Sequence, residues 1–133
     1  MKLIIYTDGG CYPNPGTMGI GVVMKQDGKT VKQISKNLGR GTNNIAEYEA
    51  VITALEEAKA MKATSVTIFT DSALVEGQLI HGWEVNKEHL KKLNKKATEL
   101  MDEFEEVNIE YEERESNKEA HKLSVRAIFG KKK

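Results

Sequence analysis

Two β-branched runs that each stop on an aspartate constrain this chain most. Residues 2–7, Lys-Leu-Ile-Ile-Tyr-Thr, lead into Asp8-Gly9-Gly10, and Ser65–Thr70 leads into Asp71-Ser72. Each reads as a strand followed by a tight loop or a helix start. Between them, Tyr48, Val51, Ile52, Leu55 and Ala58 fall at helical spacing. If the two strands are parallel neighbours, both aspartates emerge at one carboxyl edge, where open α/β sheets place their sites. Glu47, at the start of the intervening helix, can reach the same crevice.

The remaining pattern is consistent with such a sheet. Residues 20–24 read as a strand, Asp27-Gly28 as a hairpin turn and residues 29–38 as its partner. Residues 9–19, which hold both prolines, and residues 39–43 read as loops. Asn44 is placed to cap the first helix, with Glu47 three residues on. A short helix over residues 72–80 is broken at Gly82-Trp83-Glu84-Val85, and a longer one follows over residues 87–103 with Leu90, Leu93, Ala97 and Leu100 inward. Residues 107–112 alternate apolar and acidic side chains, as an edge or one-sided strand does. Ser116-Asn117-Lys118-Glu119 has the pattern of a capping box, opening a last helix with Ala120, Leu123 and Ala127 facing in. The class is α/β, a hairpin-bearing mixed sheet with helices packed on it. With no repeats and no linkers, residues 1–133 form one domain.

Charge excludes little. The 20 basic and 20 acidic residues cancel, so net charge makes no case for nucleic-acid binding. The distribution is less even: Lys87, Lys91, Lys92, Lys95 and Lys96 gather on one predicted helix, and the chain ends Lys131-Lys132-Lys133. These residues are either a solvated face with a basic tail or a substrate-facing patch. No apolar run approaches the roughly 20 residues a membrane span needs, and the N-terminal apolar run is too short for a signal-peptide core. One cysteine excludes an internal disulfide framework. A cytoplasmic monomer without membrane association is the expectation.

Three convergent carboxylates repel unless a cation or protons hold them together. All-oxygen ligation favours Mg²⁺ or Mn²⁺ over Zn²⁺, and paired hard cations about 4 Å apart serve in-line phosphodiester hydrolysis. Each acid alone has a plainer reading. Asp8-Gly9 suits a turn, Asp71-Ser72 a helix cap, and Glu47 the acidic half of an Asn44 capping box. Spacing does not choose between these.

The wording around the acids does. Thr7-Asp8-Gly9-Gly10-Cys11-Tyr12-Pro13-Asn14-Pro15-Gly16 resembles the opening motif of type 1 ribonuclease H. Thr42-Asn43-Asn44-Ile45-Ala46-Glu47 resembles that family's helix-opening motif with its catalytic Glu, and Thr70-Asp71-Ser72 its third motif. Order and intervening elements match over nearly the whole chain. The resemblance implies a five-stranded mixed sheet with helices on both faces. It also implies an endonuclease that cuts the RNA strand of RNA–DNA hybrids with two Mg²⁺ or Mn²⁺ ions. By the same resemblance, Asp8 bridges the metals and Glu47 and Asp71 complete one site each. Cys11 of the opening motif, Asn14, Asn43 and Asn44 match hybrid-contacting positions, which fits recognition of 2′-hydroxyls across a shallow minor groove. Thr42 matches a position that grips a DNA phosphate.

The chain departs from the family in several places. The family's basic, Trp-rich protrusion has no room in residues 82–86, so this is the compact form, and Trp83 is either a base-stacking group or a rim aromatic. The usual fourth acid is replaced in Asn117-Lys118-Glu119-Ala120-His121 by His121, read as a variant metal ligand or proton carrier. Its plainer reading is a surface histidine. Glu119, two residues earlier, points elsewhere on the helix. Ala73 stands where a hybrid-touching Gln is common. No His-bearing loop precedes the last helix, and His81 and His89 are not placed to replace it. The alternative these departures leave open is a weakened or inactive nucleic-acid-binding module.

Overall fold

A computed structural model describes residues 1–130. The Lys131-Lys132-Lys133 tail, with its basic-patch reading, lies outside the described residues. In chain order the elements are β1 (Lys2–Tyr12), β2 (Gly16–Gln26), β3 (Lys29–Gly41), α1 (Asn43–Ala60), β4 (Ser65–Thr70), α2 (Ala73–Ile80), α3 (Glu88–Met101), β5 (Glu106–Tyr111) and, after a 3₁₀ turn at Arg114–Asn117, α4 (Lys118–Phe129). The five strands form one sheet in the order β3-β2-β1-β4-β5. β1–β2 and β2–β3 are antiparallel, whereas β1–β4 and β4–β5 are parallel. Among the described residues no helix is long and apolar enough to cross a membrane.

Strand alternation sorts the side chains onto two faces. Leu3 and Ile5 of β1, Val22 and Met24 of β2 and Ile68 of β4 join Tyr48, Val51, Ile52 and Leu55 of α1 in the main core. α2 and α3 add Val75, Leu90 and Ala97 on that side. The opposite face holds a small cluster of Val23, Ala120, Leu123 and Tyr6 beneath α4. Tyr6 stacks on Phe69 at a centroid distance of 5.2 Å, as their shared register in the parallel pair requires.

Three local expectations are corrected. Residues 9–19 are not a loop: β1 continues to Tyr12, β2 starts at Gly16, and Tyr12 pairs with Thr17. Gly9 and Gly21 are strand residues at which a helix comes close. A Cβ at Gly9 would collide with the Ala46 carbonyl of α1, and one at Gly21 with the Ala120 carbonyl of α4. The α1 cap is Thr42, not Asn44. Thr42 is extended, and its hydroxyl accepts from the Ile45 amide at 3.3 Å. Glu47 therefore lies in the second helical turn and is no part of a capping box. The Ser116–Glu119 box does not form either. Asn117 is the cap residue and makes no side-chain cap bond, while Glu119 accepts from Gln33 at 3.0 Å.

Candidate active site

The register of β1 and β4 brings the aspartates together. The parallel pairing of β1 with β4 ends at Thr7 and Thr70, so Asp8, within β1, and Asp71, just past β4, lie side by side there. Asp8 lies on the α4 face, with Tyr6 before it and Gly21 across from it. Glu47 comes from α1 on the other face, and its Oε1 accepts from the Gly9 amide at 2.9 Å. The tight packing of α1 against Gly9 lets it reach that amide. The result is a cluster in which one oxygen from each of Asp8, Glu47 and Asp71 lies within 4.8 Å of the others.

All three carboxylates are sheltered from water. Asp8 is 1% exposed and Glu47 4%. Burial first, then the Asp71 charge, lifts Asp8 from 3.8 to about 6, although hydrogen bonds from Ser124 and His121 pull the other way. Burial, with the charges of Asp8 and Asp71, drives Glu47 well above the usual carboxylate range. Among the described residues, Asp8 Oδ1 and Asp71 Oδ1 are buried without any hydrogen-bond partner. Buried acceptors are rarely left so, and hard oxygen donors at this spacing suit a divalent cation.

His121 of α4 reaches this site, but not as a fourth member of the cluster. Its Nδ1 lies 2.9 Å from Asp8 Oδ2. Three further contacts carried no readable signature. Ser124, one turn after His121, donates to the same Asp8 oxygen at 2.6 Å. Arg114 places Nε 3.2 Å from Asp71 Oδ2. Partial burial opposes the guanidinium charge, but Asp71, Asp8 and Glu47 outweigh this and raise its pKa. Asn117 donates to the Thr7 carbonyl at 2.7 Å and pins the start of α4 to the middle of β1.

The expected substrate-contact residues gather around the start of α1. Asn14 Oδ1 accepts from the Asn43 amide at 3.1 Å, tying the β1–β2 turn to the start of α1. Cys11 Sγ is within 3.3 Å of the Gly41 carbonyl. Asn43 and Asn44 are exposed on the first turn of α1, beside the Thr42 cap. A cavity of about 280 Å³ runs from Asp8, His121 and Ser124 past Arg114 and Asn43 to Tyr12. Ala73 is exposed at the start of α2. His81 pairs with Glu76 at 3.4 Å, away from the acids. Trp83 is a half-exposed rim aromatic lying over Gly77. Of the α3 lysines, Lys91 pairs with Glu88 and Lys96 with Glu56.

Known proteins share this fold. A family described as reverse transcriptase-like matches residues 6–127. The ribonuclease H1 of Halobacterium salinarum superposes with a TM-score of 0.92 at 35% identity, covering 96% of this chain and 98% of that structure. The chain belongs to the ribonuclease H family. The N-terminal ribonuclease H domain of a bifunctional Mycobacterium tuberculosis protein is equally similar, with a TM-score of 0.92, 34% identity and coverage of 96% and 99%. LC11-RNase H1, isolated from compost by a metagenomic approach, was solved in complex with an RNA/DNA hybrid. It superposes with a TM-score of 0.89 at 36% identity over 95% of this chain and 96% of that one. The chain spans 36% of the length of the whole mycobacterial protein and 62% of the Halobacterium ribonuclease HI sequence.

Proposed function

We propose that this ribonuclease H domain is an endonuclease that hydrolyses the RNA strand of RNA–DNA hybrids. The observation that carries this reading is the convergence of Asp8, Glu47 and Asp71 within 4.8 Å, with two buried oxygens unpaired. It is supported by 36% identity to a ribonuclease H solved with a hybrid. Asp8, Glu47 and Asp71 would hold Mg²⁺ or Mn²⁺, two ions when substrate is bound. The chemistry such ions would supply when bound is activation of a water and stabilisation of the leaving oxygen.

The protein's own groups do the rest. Asp8 would serve both metal positions, and Glu47 and Asp71 would complete one each. His121 and Arg114 flank the cavity, where His121 holds Asp8 and Arg114 offsets the acids' charge. Thr42 and the α1 N-terminus suit a phosphate of the DNA strand. Asn14, Asn43 and Asn44, with Cys11 behind them, form the surface against the hybrid minor groove. The active species in this reading is a cytoplasmic monomer. Cleavage of an end-labelled RNA–DNA hybrid is measured with Mg²⁺ and with Mn²⁺, beside double-stranded RNA and double-stranded DNA. Cutting confined to the RNA strand of the hybrid is expected, and no cleavage in either metal by folded protein sinks the reading.

A further inference from the structure

We propose that Ser124 and His121 are a positioning pair for Asp8: they hold its Oδ2 from the α4 side so that Oδ1 alone faces the cation. This rests on the metal-site reading above and goes beyond it. It names Ser124 as a functional residue and gives His121 a role other than that of a ligand.

The geometry is asymmetric across one carboxylate. Oδ2 has two neighbours, Ser124 Oγ at 2.6 Å and His121 Nδ1 at 2.9 Å. Oδ1 has none and is buried. Two donors converging on one oxygen fix the rotation of the carboxylate, so the other oxygen has a set direction before any cation arrives. The serine hydroxyl has one proton and two acceptors in reach, Asp8 Oδ2 and the His121 carbonyl at 2.8 Å. The charged acceptor takes it, because a bond to an ionised oxygen is about twice as strong as a neutral one, and 2.6 Å is the length such bonds have. The same carboxylate sets the imidazole. Facing an ionised Oδ2, Nδ1 points its hydrogen at that oxygen. A nitrogen donating to Asp8 cannot also ligate a metal. In place of a fourth carboxylate, the chain has a pair of hydrogen-bond donors on Asp8.

The clamp is anchored at a fixed depth. α4 lies against Gly19 and Gly21 of β2, where a Cβ would strike the Ser124 and Ala120 carbonyls. Asn117 bonds the Thr7 carbonyl, one residue before Asp8. Ser124 is 1% exposed, so neither it nor its partner gains water as an alternative.

Isothermal titration of the full chain with Mn²⁺ alone, at pH 8 and without nucleic acid, tests the clamp. Partners that orient metal ligands typically contribute 10–100-fold in affinity. Ser124→Ala is expected to weaken Mn²⁺ binding by about tenfold while its metal-free melting curve stays cooperative, since alanine favours the helix. Ser124→Thr, which keeps the hydroxyl, is expected to restore most of the affinity. His121→Asn, whose amide can still donate to Oδ2, is expected to lose less than Ser124→Ala. Wild-type affinity in a folded Ser124→Ala overturns the clamp alone. A loss in His121→Asn as large as in Asp8→Asn makes His121 a ligand and overturns it too. A wild-type chain that binds no Mn²⁺ overturns the clamp and the metal site together.

Discussion

The two faces of the sheet are built for different purposes. Under α1 lie long apolar side chains, Leu3, Ile5, Val22, Met24, Ile52, Leu55 and Ile68, all but fully buried. Under α4 the apolar cluster is four residues, and the strand facing it carries Gly19 and Gly21. Polar contacts take up the difference: Asn117 to Thr7, Ser124 and His121 to Asp8, Ser35 to the Leu123 carbonyl at 2.7 Å. One face supplies cohesion, and the other gives up cohesion to hold charged oxygens at a chosen spacing. Glu47 crosses between them because α1 sits close enough at Gly9 to reach its amide.

The sharpest way to break this division is at the atom where the faces meet. Asp8→Asn keeps the shape but removes the shared charge. Cleavage of the hybrid is expected to fall by about 10³-fold or more, on the order of 4 kcal/mol of barrier. The metal-free protein is expected to gain stability in urea, because the new amide can donate to Asp71 or Glu47 where two carboxylates repelled. Loss of both activity and stability would show that Asp8 is needed for folding and undo the contrast. Next comes Ile5→Ala, which opens a cavity in the α1 core. A cost of about 4 kcal/mol in unfolding free energy is expected, with little change in cleavage per folded molecule. The matched truncation on the other face, Leu123→Ala, is expected to cost less stability and more activity, since α4 carries the clamp. Equal partition of both effects between the two variants would erase the distinction.

The same contrast decides what could be read from the chain. The acids were legible because each borders a periodic run: Asp8 closes the β-branched stretch of β1, Asp71 follows β4, and Glu47 lies near the start of the helix between them. Only the parallel pairing had to be supplied. The α1 cap was misplaced because Thr42, Asn43 and Asn44 are all cap-forming residues. Tertiary structure chose among them, with β3 running to Gly41 and Asn14 taking the Asn43 amide. Residues 9–19 looked like a loop because glycine usually marks turns, yet Gly9 and Gly19 are small so that helices can pass. Ser124 and Arg114 gave no pattern. Their partners lie 116 and 43 residues away, and an isolated serine on a helix looks like any other.

The smallest effect concerns the charge stored at the site. Asp8 is raised to about 6 by burial and by Asp71, against 3.8 for a free side chain, and Glu47 moves the same way. The folded, metal-free protein therefore binds more protons than the unfolded chain between those two values. Stability rises with pH only where the unfolded state holds more protons, so here the sign is reversed. The contribution is fully present below pH 3.8, declines through the window and is gone above about pH 6. Its size for Asp8 is on the order of 3 kcal/mol, with no discount for solvent because the side chain is buried. Urea unfolding of wild type and Asp8→Asn in chelator, at intervals from pH 4 to 8, isolates it: the gap between the two curves should widen in favour of the variant as pH rises and flatten past pH 6. Adding Mn²⁺ at pH 8 should close that gap by stabilising wild type alone, in proportion to the logarithm of metal concentration. A gap that does not change with pH would mean that the three acids are not held in mutual repulsion, and the α4 face would lose the cost that sets it apart from the α1 core.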